Sequence, residues 1–393
     1  MPETRTRRDW TWMLLLFLVA LPSIAIAQDR SSRRDSNGGH ANRRPGPTQT
    51  KISKYLTDQI RAGDVVGASI LVGSLASETG SPTNLGTLAP EDRRPVTDDT
   101  LFCIASCSKP VASALLFTLL DDRKLRLDDE AGKYIPGLQS PKTSTGAPAT
   151  SPTLKQLLAH RGGIYSQMQR PTSEQLRAIR DFHLTLDQSV SLIAKQPLAS
   201  KPGTAYAYSG AGYCLVGAMA EQATGQKIES LLQENLCQPL GMNATTYFPT
   251  PNRFPTIATG GFTRSRPPHL LGSELQLPLV GGSLHTTASD LERFARMVLS
   301  RGQHDGTRIL SPRAWQYYVS QPFPQPYGYG WLLTKRNGKV IGLSHKGSLP
   351  PAQAAITLDL ERNTYKIVLW TLAKPANVQA TNRIKTTIAE MVR

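Results

Sequence analysis

Apolar, β-leaning runs stand at both ends of this 393-residue chain with the helical patterns between them, and that order leaves few ways to fold. Near the start, Val65 to Ser74 is such a run, and a turn-rich stretch before Leu85 completes a strand pair. Near the end come Tyr327 to Leu333, a turn at Asn337-Gly338, Val340 to Ser344, Ala354 to Leu360 and Tyr365 to Thr371, then helical spacing from Val378 to Val392. Helical patterns fill the middle over 106–121, 153–160, 174–196, 209–223 ending at Gly225, 287–301 ending at Gly302, and 312–320. The last has Ser311 as its cap and Pro312 at the first helical position. Strands from the two ends bury their faces by pairing with each other. The expectation is therefore an α/β (α+β) fold with one antiparallel sheet formed by both chain ends and flanked by helices. No internal repeat is visible.

The N-terminus has another character. Arg5, Arg7 and Arg8 precede the apolar run Met13 to Leu21, and Ala25-Ile26-Ala27 places small residues before Gln28, so residues 1–27 read as a secretory signal peptide. The apolar run is shorter than the ~20 residues of a spanning helix. Residues 28–50 are rich in Arg, Ser, Asn, Gly and Pro, hold no apolar cluster and read as a disordered basic linker, which leaves 51–393 as the folded domain. The expected location is exported, periplasmic or secreted, with no stable membrane span after signal cleavage. The formal charge is +16, and losing the signal peptide lowers it by only one, so the excess belongs to the mature chain. That favours anionic envelope polymers as partners, while export and the lack of zinc-finger spacing or an aromatic-studded basic stripe disfavour nucleic acid. The four cysteines, Cys103, Cys107, Cys214 and Cys237, show no C-x-x-C spacing; a Cys214–Cys237 bridge stays open. No H-E-x-x-H or clustered ligand set points to a metal, and no cofactor is implied.

Ser106-Cys107-Ser108-Lys109 carries the chemistry. On a helix, positions i and i+3 share a face about 5 to 6 Å apart at Cβ, so the lysine amine can reach the serine hydroxyl and serve as its base. S-x-x-K alone is a cheap pattern. Downstream, however, stand Lys201-Pro202-Gly203-Thr204, Tyr208-Ser209-Gly210 and His345-Lys346-Gly347, giving the order S-x-x-K, Y-x-x, H-x-G. This order resembles the serine beta-lactamase-like hydrolases of the class C type, which include D,D-peptidases and esterases. Further segments resemble the same family: Leu157-Leu158-Ala159-His160, Pro239-Leu240-Gly241-Met242, and Gly281-Gly282-Ser283-Leu284 leading to Ser289-Asp290-Leu291. The resemblance runs from about residue 51 to the C-terminus. It implies an all-α insertion in the sheet domain and an active site in the cleft between the two parts.

The resemblance also implies the roles. Ser106, Lys109 and Tyr208 are the catalytic set: Ser106 is the nucleophile, and Lys109 with Tyr208 acts as one base, either through a neutral lysine or through a tyrosine held as phenolate, the two pKa values being pushed toward each other. The oxyanion donors are the N–H groups of Ser106 and Ser348, and His345, Gly347 and Gly210 line the substrate. His345 stands where the family has a lysine and is expected to present a cation only partly at neutral pH. Lys346 should face the opposite side of its strand. Gly210 replaces the family's asparagine, whose amide recognises the substrate's amide side chain. That departure leaves acylation intact and tilts the reading toward an esterase-like hydrolase of esters, amides or cell-wall peptides. The alternatives are a beta-lactamase or D-alanyl-D-alanine carboxypeptidase, and a catalytically silent envelope protein with the same fold. Neither a Rossmann loop at Gly210-Ala211-Gly212 nor a nucleophile elbow at Gly342-Leu343-Ser344 has its closing glycine.

Overall fold

The computed structural model describes residues 45–261, 274–373 and 378–393. The expected signal peptide and most of the expected linker lie outside the described residues. Helix α1 (Pro47–Arg61) starts inside the segment read as linker, because Pro47 sits where a helix needs no N–H, and Ile52 and Leu56 bury completely.

After α1 come strands β1 (Val65–Ser74), β2 (Thr83–Ala89) and β3 (Asp92–Pro95). Four short strands follow as two local pairs, β4 (Phe102–Cys103) with β5 (His285–Thr286), and β6 (Gln303–His304) with β7 (Thr307–Arg308). The C-terminal part adds β8 (Leu332–Arg336), β9 (Lys339–Leu349), β10 (Ala352–Asp359) and β11 (Thr364–Leu372). One seven-stranded sheet results, in the order β3-β2-β1-β11-β10-β9-β8, antiparallel throughout. The two chain ends meet at β1 and β11, whose register runs from Val65 opposite Leu372 to Ser74 opposite Thr364, as expected. The expected strand from Tyr327 shrinks to its end at Leu332. Its aromatics Tyr327, Tyr329 and Trp331 are buried instead, with Gly330 at φ 87° so close to Lys109 that a Cβ there would lie 2.8 Å from the Lys109 carbonyl oxygen.

Among the described residues, eleven α-helices accompany the strands. After α1 come α2 (Ser108–Asp121), α3 (Leu154–Leu158), α4 (Ser173–Arg180), α5 (Leu186–Ala194), α6 (Gly210–Thr224), α7 (Ile228–Leu232) and α8 (Gln238–Leu240). Then follow α9 (Ala288–Leu299), α10 (Pro312–Tyr318) and α11 (Val378–Met391). Helices α3 to α6 pack on one another and form the helical part beside the sheet. The single helix expected over 174–196 is two, because Asp181 adopts an extended ψ and Thr185 starts a new helix with a capping box to Gln188. On β11, Tyr365, Ile367 and Leu369 point into the large core with α2 and α9. The alternate residues Val368, Trp370 and Leu372 point into the core under α1 and α11. All four cysteines are buried free thiols.

Candidate active site

Strand β4 delivers the chain into a 3₁₀ turn, Ala105–Cys107, that runs directly into α2, so Ser106 sits on the turn and Lys109 in the first turn of the helix. Ala105 has φ 47°, a left-handed conformation that costs a non-glycine residue about 1–3 kcal/mol and persists only where the surroundings enforce it. Ser108 enforces it. Its buried hydroxyl donates to the Ala105 carbonyl at 2.6 Å and accepts the Leu284 N–H at 3.1 Å, while the Ile104 N–H reaches the Leu284 carbonyl at 2.8 Å. On the other side β9 presses on the turn at Gly347, where a Cβ would stand 2.1 Å from the Ile104 carbonyl oxygen. Gly347 is thus a site of close backbone approach.

Lys109 is 1% exposed, with Nζ 3.4 Å from Ser106 Oγ and donating to the Gly281 carbonyl at 2.7 Å. The amine lies over the faces of Tyr208 and Tyr213, 4.7 and 5.3 Å from the ring centroids. None of these contacts offers a carboxylate. Burial therefore brings its pKa down from 10.5 to about 7. Tyr208 moves the other way: burial raises its pKa well above the ordinary phenol value, and a hydrogen bond with Ser106 only partly opposes this. The expected convergence of the two pKa values is therefore corrected. The amine faces the ring and bonds a carbonyl, so a phenolate would gain little: Tyr208 stays a neutral phenol, and Lys109 exchanges between ammonium and free amine near neutral pH.

His345 is also corrected. Its Nδ1 lies 2.9 Å from the Lys346 carbonyl oxygen, which can only accept, so Nδ1 carries the proton and Nε2 accepts the Tyr327 hydroxyl at 3.2 Å. Burial, aided by the charge of Lys109, takes its pKa down to about 3. The imidazole is neutral at physiological pH and offers a substrate no cation. Lys346 follows strand alternation as an exposed neighbour of buried His345, yet it still borders the cleft.

Ser106, Lys109, Tyr208, Gly210, His345 and Ser348 line one cleft of about 460 Å³. Ser348 is exposed on the part of β9 that runs past its pairing with β8, which ends at Leu332 opposite Ser344. A cavity of about 510 Å³ beside α11 shares only Leu332, His345 and Lys346 with it and holds none of the nucleophile's partners. Two residues with no assigned role in the sequence reading belong to the site. Gln167 accepts the Gly210 N–H at 2.9 Å, and its amide fills the space into which a Gly210 side chain would project. His160, 2% exposed, accepts the Ser209 N–H through Nδ1 at 3.1 Å and packs 4.3 Å from Tyr208 between ring centroids. Its position in the Leu157 to His160 motif was the available signal; Gln167 gave none.

The beta-lactamase family model matches residues 55–389. A putative D-alanyl-D-alanine carboxypeptidase of Escherichia coli (strain K12) is 29% identical over 291 residues, 68% of this chain and 66% of the relative, so the chain spans slightly under two thirds of that relative's length. Among solved structures, EstCE1, described as a hydrolase with promiscuous acyltransferase activity, superposes with a TM-score of 0.70 at 20% identity, covering 87% of this chain and 98% of that one. A class C beta-lactamase mutant gives 0.67 at 19% identity, covering 88% and 96%. At these identities the two superpositions speak for the fold alone.

Proposed function

The chain belongs to the beta-lactamase family, of the beta-lactamase and penicillin-binding-protein type, and we propose that it is an exported serine hydrolase that forms an acyl-enzyme on Ser106 and cleaves an ester or amide. The observation that carries this reading is the desolvated Lys109 amine, with a pKa of about 7, held 3.4 Å from Ser106 Oγ. A base with its pKa near the working pH balances availability against proton-accepting strength.

In this mechanism Lys109 takes the Ser106 proton as Oγ attacks the substrate carbonyl carbon. The negative charge that develops on the carbonyl oxygen is met by the N–H groups of Ser106, at the start of the turn, and Ser348, on the free edge of β9. Each such donor is worth about 3 kcal/mol in systems where one has been removed. As the tetrahedral intermediate collapses, the bond to the leaving group breaks and the proton held by Lys109 returns to that group, with the Tyr208 hydroxyl, which hydrogen-bonds with Ser106, beside it. Water then attacks the Ser106 ester and gives its proton to Lys109; as the bond between the acyl carbon and Oγ breaks, that proton returns to Ser106 Oγ and the acid is released. The neutral phenol of Tyr208 suits a hydrogen-bond donor.

Export rests on the N-terminal segment, and among the described residues no helix is long and apolar enough to cross a membrane. A second reading, as a beta-lactamase or D-alanyl-D-alanine carboxypeptidase, is favoured by Gln167, which brings an amide to the place left empty by Gly210. Comparing kcat/KM for p-nitrophenyl butyrate and nitrocefin separates the two. An ester efficiency well above that for nitrocefin, abolished in Ser106→Ala, is the expected result; the reverse order moves the assignment to the second reading.

A further inference from the structure

Among the described residues, four large hydrophobic side chains are exposed: Met168 at 75%, Tyr317 at 45%, Leu332 at 39% and Tyr206 at 38%. Exposed apolar residues scattered singly are ordinary. These are not scattered, because Met168, Tyr206 and Leu332 all line the cleft that holds Ser106. They arrive from separate parts of the chain: Met168 from the segment between α3 and α4, Tyr206 from just before α6, and Leu332 from the first position of β8. An apolar patch gathered at a cleft from three segments marks a surface kept for a ligand. Ile179, Leu279 and Leu349 continue it along the cleft wall. Among the described residues no Asp or Glu lines the cleft, while Arg180, Lys346 and Lys385 do, so an ammonium group there would meet like charge and no carboxylate.

We propose that this cleft selects substrates by an apolar acyl group, an alkyl chain or an aromatic ring, and disfavours acyl groups that carry a free amine. The inference rests on the acyl-enzyme reading of Ser106 and names the substrate class for that site. Met168 comes from the helical part and Leu332 from the sheet part, so both parts contribute an apolar side chain to the cleft. Each methylene buried there is worth about 0.8 kcal/mol, close to a fourfold step in kcat/KM.

The test uses the purified full chain and p-nitrophenyl acetate, butyrate, hexanoate and octanoate, with intact-mass labelling of Ser106 by a fluorophosphonate as an independent measurement. The expected result is kcat/KM rising about fourfold per added methylene until the apolar wall is filled. In Met168→Ser and Leu332→Ser that rise flattens, while Tyr317→Ser, exposed but away from the cleft, keeps it. Labelled Ser106 together with a flat or falling series, with no ester turnover, or with equal flattening in Tyr317→Ser overturns the substrate class and leaves the hydrolase reading standing. Absence of any Ser106 adduct on folded protein removes the hydrolase reading itself.

Discussion

The Lys109 amine and the Gly281 carbonyl are bonded at 2.7 Å, and a Cβ added to Gly281 would lie 3.0 Å from Lys109 Nζ, from Lys109 Cγ and from Tyr213 Cβ. The base is thus aimed by a backbone oxygen in a slot with no room for one more methyl group. Gly281→Ala should displace Nζ from Ser106 and lower kcat/KM by about 100-fold, the scale at which small misplacements act on catalysis. Measuring kcat/KM beside the melting temperature checks this; a fully active, equally stable variant would contradict it.

Gly347 poses a harder constraint, since its added Cβ would meet a backbone atom, the Ile104 oxygen, at 2.1 Å. A side chain cannot rotate away from that clash. Gly347→Ala should push β9 off the nucleophile turn, lowering both activity and stability, the latter by about 1–3 kcal/mol as for other overpacked sites. Denaturant unfolding and ester turnover read the two effects.

Lys109 sets the pH dependence. With its pKa at about 7, kcat/KM should rise with pH along a single ionisation near that value. His345, brought down to about 3, and Tyr208, raised above its ordinary value, add no second limb between pH 5 and 9 on the order of the working range. The sign for stability follows from linkage: the unfolded lysine holds its proton above pH 7 where the folded one releases it, so stability increases as pH rises from about 7 toward 10.5. Lys109→Met, close in volume, should therefore be inactive and more stable than the wild type, with the largest gain below pH ~7. Thermal unfolding at pH 6 and pH 10 tests it.

His160 fixes the backbone just after Tyr208 through the Ser209 N–H, and its ring packs against those of Tyr208 and Tyr327 at 4.3 and 4.7 Å. Among the described residues its Nε2 has no hydrogen-bond partner, and burial holds its pKa well below the ordinary histidine value, so it works as a neutral acceptor through Nδ1. His160→Ala should cost about 2–4 kcal/mol of stability and lower kcat more than it raises KM. His160→Asn, which keeps an acceptor near the Nδ1 position, should recover part of kcat; no recovery would argue that only ring packing matters.

Local chemistry was legible in the sequence where it depended on neighbours along the chain. The S-x-x-K spacing, the Ser311-Pro312 helix start, the Asn337-Gly338 turn and the run Val65 to Ser74 all appear where they were expected. The three T-x-x-Q capping boxes at Thr153, Thr172 and Thr185 were equally local and would have split the helix expected over 174–196. Electrostatics were not legible. The neutrality of His345 comes from burial and from the nearby charge of Lys109, neither of which the H-x-G motif contains, while the Lys346 carbonyl inside the motif only opposes it. Gln167 reaches Gly210 across 43 positions, a contact that only the tertiary fold creates.

Labelling of the serine tests the central claim most directly: intact-mass analysis of folded protein treated with a fluorophosphonate, followed over a range of pH. The expected result is one adduct on Ser106, absent in Ser106→Ala, forming at a rate that climbs through an apparent pKa near 7. A folded protein that takes no adduct, or takes it on another residue, would contradict the assignment of Ser106 and Lys109 as nucleophile and base.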